Sequence, residues 1–213
     1  SQQYRLDYDG KLFDMINDPR QSVDVASDHP EVYKKLSQVK EKWKNEVLIE
    51  LPETDKRPFT FGHPDFDFTQ IPARDGIASG EIQRSDNSPN CTYFTNWIHL
   101  TDSISWPLEV IKGGTFEVQL FYTCPPEDIG STIQISFGKN KLTEQILEPH
   151  NPPQKGMEND RIFRTQSYVK DFKRISLGNI QLEKGKGILS LKALEIPGSQ
   201  VMDFRLLFFK RIA

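Results

Sequence analysis

The chain has 213 residues, of which 27% are charged, and a formal net charge of −3 at pH 7. So even a balance supplies no broad basic field and excludes nucleic acid or an anionic membrane surface as the evident partner. No apolar run reaches the ~18 residues that span a bilayer, and 14 Pro and 13 Gly favour many short strands over long helices.

Residues 1–15 read as a hairpin. Tyr4, Leu6 and Tyr8 alternate with polar residues, Asp9-Gly10 supplies a tight two-residue turn, and Lys11 to Met15 return. Asn17-Asp18-Pro19 ends the strand. A helix follows. Asp28 and Glu31 form a capping-box pattern, and Pro30 sits in the first turn, where its missing N–H costs nothing. Val32, Leu36, Val39, Trp43 and Val47 recur at helical spacing and build one apolar stripe. The opposite face carries Lys34, Lys35, Lys40, Glu41, Lys42 and Lys44 and reads as solvated surface. A hairpin and one helix (residues 1–48) are too small to stand alone, so the stripe requires a partner.

Residues 49–79 contain Pro52, Pro58, Pro64 and Pro72 beside Phe59, Phe61, Phe66 and Phe68. That is too aromatic for a disordered linker and reads as an extended strap. Residues 80–213 read as all-β. Candidate strands are 80–85, 92–100, 104–110, 115–123, 131–137, 141–147, 167–177, 188–194 and 201–210, with glycine turns between them. In 115–122, Phe116, Val118, Leu120 and Tyr122 alternate with Glu117 and Gln119. The fold class is mainly β: an antiparallel jelly-roll sandwich preceded by a hairpin-plus-helix segment and a strap.

The run Leu12-Phe13-Asp14-Met15-Ile16-Asn17-Asp18-Pro19, then Asp28-His29-Pro30-Glu31-Val32, resembles the closing segment of the sulfatase family. Neither Cys91 nor Cys124 lies in the Cys/Ser-x-Pro-x-Arg motif that yields a sulfatase's formylglycine, and no serine fits it. The resemblance therefore implies a non-catalytic C-terminal part. The parent enzyme would need formylglycine and a divalent cation, and would be periplasmic or secreted. Ser1 does not read as a natural start, so an export signal is expected upstream. The missing catalytic domain becomes the expected partner of the helix.

A second resemblance runs through the sandwich. Gly113-Gly114-Thr115-Phe116-Glu117-Val118-Gln119-Leu120-Phe121-Tyr122, Gly130 to Ile135, Leu177-Gly178, Leu182 to Gly185 and Val201 to Arg205 resemble galactose-binding-like jelly rolls and carbohydrate-binding modules. Asn90 to Trp97, Tyr122 to Pro125, Asn159-Asp160-Arg161, Ser167 to Phe172 and Ile196-Pro197-Gly198 look similar to C-terminal domains of certain bacterial sulfatases. These resemblances imply an accessory region that assists binding of a sulfated glycan. The alternative is a purely structural sandwich that braces the catalytic domain or an oligomer and binds nothing.

Candidate chemistry follows from residue type. His29, His63, His99 and His150 stand singly, without metal-ligand spacing, so no catalytic or metal residue is assigned. Asp65, Asp67 and Asp75 form a loose acidic cluster that reads as a solvated loop or a calcium site, and the turn Pro125-Pro126-Glu127-Asp128 is a candidate for a structural calcium. Cys91 and Cys124 either pair or remain separate thiols, and Asn90-Cys91-Thr92 is formally a glycosylation sequon. In one extended strand Tyr93 and Trp97 would share a face, either as core or as a stacking platform. The long connection 148–172 offers Asn159 and Asp160 to sugar hydroxyls and Arg161, Arg164 and Lys170 to a sulfate, or else anchors itself through Asp160 and Arg161.

Overall fold

The computed structural model describes residues 2–51, 54–87, 92–162 and 168–212. The chain divides into two compact units, residues 1–56 and 57–213.

In the first unit, β1 (Tyr4–Leu6) and β2 (Leu12–Asp14) pair antiparallel with Arg5 opposite Phe13. The turn is longer than the two residues expected: Asp7 N–H donates to Lys11 O, so five residues close the loop. Asp14 organises the exit from β2. Its carboxylate accepts the Ile16 and Asn17 amides and the Asn17 and Gln3 side chains. The helix α1 spans Pro30–Val47. It starts one residue later than the capping box requires, so its N-cap is His29, with no side-chain cap. The His29 ring instead lies 5.0 Å from that of Tyr4. The apolar stripe is real but uncovered, since α1 has no buried residue.

The second unit is a two-sheet sandwich. The remaining strands are β3 (Phe59–Phe61), β4 (Phe68–Pro72), β5 (Ile77–Ser79), β6 (Gln83–Arg84), β7 (Phe94–Thr95), β8 (Ser103–Val110), β9 (Gly114–Thr123), β10 (Thr132–Phe137), β11 (Asn140–Gln145), β12 (Lys173–Leu182), β13 (Gly185–Glu195) and β14 (Asp203–Arg211). The first sheet runs β11-β10-β13-β8-β3, with β5 also on β8. The second runs β12-β9-β14-β7-β6, with β4 also on β14. From β8 onward the chain passes repeatedly between the sheets, as in a jelly roll, and among the described residues only β3 pairs in parallel. Inward residues of both sheets meet in one core that includes Trp106, Leu108, Phe116, Val118, Leu120, Tyr122, Ile133, Ile135, Leu189, Leu191, Phe204, Leu207 and Phe209.

Two expectations change. Residues 59–79 are not a strap over a surface but three strands of the sandwich itself, with Phe61, Ile71 and Ala73 in the core. Arg211 locks this addition in place. Its guanidinium donates to Gly62 O (2.9 Å), Gly113 O (2.9 Å) and Lys112 O (3.1 Å) and lies 4.7 Å over the Phe116 ring.

The expected strand 92–100 contracts to Phe94–Thr95. Asn96 takes φ +57°, and its side-chain amide donates to Glu81 O at 2.7 Å. A left-handed residue breaks the extended path, and asparagine is among the few residues that tolerate it. Strand alternation therefore fails here, and Tyr93, Phe94 and Trp97 are all buried. Trp97 is fully enclosed, so it is core and offers no stacking face.

Trp97→Ala should cost about 3–5 kcal/mol of stability in chemical denaturation. A loss below about 1 kcal/mol, the scale of an ordinary surface substitution, would contradict the assignment to the core.

Candidate functional site

The connection between β11 and β12 folds back on the sandwich instead of standing away from it. Cys124 and His150 exchange backbone hydrogen bonds of 2.8 Å, and Lys155 N–H donates to Val169 O at 2.7 Å. The His150 ring reaches Asp171 O at 2.6 Å, and Lys155 pairs with Asp171. This brings two of the sequence-predicted residues together. The Lys170 ammonium sits 5.5 Å over the Tyr93 ring, and Phe172 meets the same ring edge-on at 5.4 Å. Gln154 donates to the Tyr93 hydroxyl at 3.0 Å.

These groups satisfy one another. Lys170 is ion-paired with Asp203 at 2.5 Å, both side chains being largely buried, and Thr123 donates to the same carboxylate oxygen. Tyr168 donates to Asp160 Oδ2 at 2.8 Å. The Lys170 charge is thus neutralised from within, and Tyr93 keeps only 4% of its surface exposed. Asn159 and Arg161 are exposed, Asn159 in a short 3₁₀ turn at Met157–Asn159. Arg164 lies outside the described residues. Tyr93, Asp160 and Lys170 brace this connection, and among the described residues their polar groups face one another rather than an open cleft.

Cys91 also lies outside the described residues, and with it one half of the expected disulfide. Cys124 is a buried thiol. Burial first, and then the carboxylates of Asp128, Asp203 and Glu127, push it up to about 12. It stays protonated at neutral pH and is no nucleophile. In the turn Pro126–Asp128, the Asp128 carboxylate accepts Ser199 N–H and Oγ–H at 2.8 Å each and the Gln200 amide at 2.9 Å. Both oxygens are already bonded by protein donors, and no group of three or more His, Cys, Asp or Glu side chains placed to hold a metal occurs among the described residues.

A different surface has the composition of a binding site. Because Phe116, Val118, Leu120 and Tyr122 of β9 point inward, Glu117, Gln119 and Phe121 point outward. Leu207 and Phe209 likewise send Leu206, Phe208 and Lys210 outward from β14. The register aligns these positions in rows across four strands. Arg174, Phe121, Leu206 and Pro72 form one row, and Ser176, Gln119, Phe208 and Gln70 the next. Asn179, Glu117, Lys210 and Phe68 form the third. The Phe68 and Phe208 rings are 5.1 Å apart, and Phe68 is 51% exposed. Phe66, in the loop before β4, is 65% exposed. The sequence signal for this face was the alternation in 115–122. Its outward aromatic, Phe121, gained meaning only with the register of β14 and β4.

In the first unit, a groove of about 560 Å³ lies between hairpin and helix. Tyr4, Leu6, Met15, Leu36, Val39 and Trp43 line it, with Arg5 and Lys40.

No protein-family model and no curated protein matches the chain. Among solved structures it is similar to a Podospora anserina GH26-CBM35 β-(1,4)-mannanase, at 11% identity and TM-score 0.46 over 69% of this chain and 28% of that one. It is also similar to the C-terminal CBM6 of a marine laminarinase from Zobellia galactanivorans, at 11% identity and TM-score 0.46 over 68% and 99%. A family 35 carbohydrate-binding module from Clostridium thermocellum gives 11% identity and TM-score 0.45 over 69% and 100%.

The Asp128 knot gives a pH signature. Burial would raise this carboxyl, but the bonds from Gln200 and Ser199 prevail and hold it below the ordinary 3.8. A depressed folded-state value contributes stability above the unfolded value, and that contribution is lost as pH falls through the folded one. Asp128→Asn should therefore lower the melting temperature more at pH 7 than at pH 3, where the contribution has begun to fall away. An equal loss at both pH values would show that charge plays no part in the knot.

Proposed function

We propose that this chain is a non-catalytic accessory region whose sandwich binds a glycan on the outer face of the second sheet. One observation carries the reading. The outer sheet surface here bears exposed Phe68 beside half-buried Phe121, Leu206, Phe208 and Pro72, among Gln70, Gln119, Ser176 and Arg174. An outer face with no ligand or partner normally alternates to polar residues, and a contiguous apolar patch with a polar rim marks an interaction surface. Pyranose rings have apolar C–H faces and a polar hydroxyl edge. Rings such as Phe121 and Phe208 stack on the former, while amides of Gln70 and Gln119 donate to and accept from the latter.

The finer reading joins this sandwich to a sulfatase that acts on sulfated glycans outside the cytoplasm. The motif likeness over residues 12–32 supports it. So does the first unit, where Val39, Trp43 and Val47 are about half exposed on a helix with nothing buried. A catalytic domain covering that stripe would remove its apolar surface from water. In the second reading the sandwich is structural, and the phenylalanine face is a protein contact. The same rings favour it, since phenylalanine lacks the polar handle of tyrosine or tryptophan.

Titration calorimetry against sulfated and unsulfated oligosaccharides separates the two. Saturable binding that Phe208→Ala weakens at least tenfold, with little change in melting temperature, is the expected result. No binding across the panel, together with self-association that Phe208→Ser abolishes, would establish the structural reading instead.

A further inference from the structure

Resting on that glycan-binding reading, we infer that the outer face selects an anionic sugar substituent, a sulfate ester or a carboxylate, through Arg174.

Its neighbours in the second unit show why Arg174 differs. Lys155 pairs with Asp171, Lys170 with Asp203 and Lys173 with Glu148. Arg84 donates to Ala73 O and Gly76 O, Arg205 to Thr92 O, and Arg211 to three backbone carbonyls. Lys210, on the same face, stands across from Glu117 in register but without an ion pair, and its ammonium lacks the planar paired donors of Arg174. Arg174 is exposed and, among the described residues, has no carboxylate within ion-pair distance. Its cross-strand neighbour is Phe121, an apolar ring.

The placement is directional. Arg174 occupies the outer strand β12 at one end of its row, followed inward by Phe121 and Leu206 and then by Pro72 at the far side. Adjacent strands are about 4.8 Å apart, so the row extends roughly 15 Å, enough for two or three sugar residues laid across the strands. A pyranose stacked on Phe121 brings a ring substituent within reach of the guanidinium. Sulfate and carboxylate both present two coplanar oxygens to its paired N–H groups. Gln70 and Ser176 in the adjoining row are exposed and offer an amide and a hydroxyl to sugar hydroxyls. The face therefore combines a cation without a carboxylate partner, a ring and exposed polar groups. A neutral glucan needs only the last two.

The probes are carrageenan and chondroitin sulfate oligosaccharides, their desulfated counterparts, and a uronate oligomer from polygalacturonate. The expected result is binding of at least one anionic probe and a tenfold or greater loss on desulfation. Arg174→Ala should reproduce that loss without changing the affinity for the desulfated sugar, and Arg174→Lys should fall between. Preference between sulfate and uronate probes identifies which anion is read. Equal binding of sulfated and desulfated probes, or an Arg174→Ala variant within twofold of wild type, would overturn the assignment while leaving glycan binding intact. Failure of every probe to bind would overturn both readings.

Discussion

The register of β9 against β14 is the constraint on which the rest of the second unit depends. Side chains alternate strictly along a strand, so a one-residue slip exchanges the buried and solvent faces. With Leu120 opposite Leu207 and Val118 opposite Phe209, the core closes. The same register sets Gln119 opposite Phe208 and Lys210 opposite Glu117 on the outer face. The irregularity between Phe204 and Leu206 absorbs one extra residue, which turns Arg205 aside to donate to Thr92 O and keeps Leu206 outward. Core packing and the composition of the outer face are thus two consequences of one alignment. Burial fixes the register, and the register presents the aromatic rows without further stabilisation of their own.

Fixed geometry also distinguishes this face from the long connection 146–172. That connection is held by the Lys170–Asp203 pair and by hydrogen bonds to Tyr93 and Asp160, so these groups are already partnered. A ligand there would have to displace intramolecular bonds and leave a nearly buried carboxylate unpaired, which costs several kcal/mol. The outer sheet face imposes no such displacement. Its central side chains, on β9 and β14, stand on strands paired on both sides, and stacking on them removes apolar surface from water.

Much of the fold was legible in the amino-acid order. Alternation located the long strands from β8 onward to within a few residues, because each buries one face and exposes the other; the exception is β12, expected at 167–177 and found at Lys173–Leu182. The helix was legible from its stripe. Failures arose where local pattern yields to tertiary context. Residues 59–79 lack clear alternation, since β3, β4 and β5 are short edge elements anchored by single core residues such as Phe61 and Ile71. The contraction at Phe94–Thr95 depends on one left-handed residue, Asn96, whose conformation rests on a contact with Glu81 fifteen residues away. Tyr93 and Lys170 meet, which the sequence did not indicate, and the partners that neutralise them, Asp203 and Gln154, were invisible without the fold. The outer face was half legible. Glu117 and Gln119 could be placed outward from their own strand, whereas Phe68 and Arg174 joined them only through pairing.

The proposed ligand contact lies on the outer face of the second sheet. Amide chemical-shift mapping of the isotopically labelled chain during titration with a sulfated oligosaccharide tests it most directly. The account requires the largest shifts in residues 68–72, 117–121, 174–179 and 206–210, with residues 148–162 little changed. Shifts concentrated in the long connection or in the first unit, with the four outer strands unmoved, would contradict it.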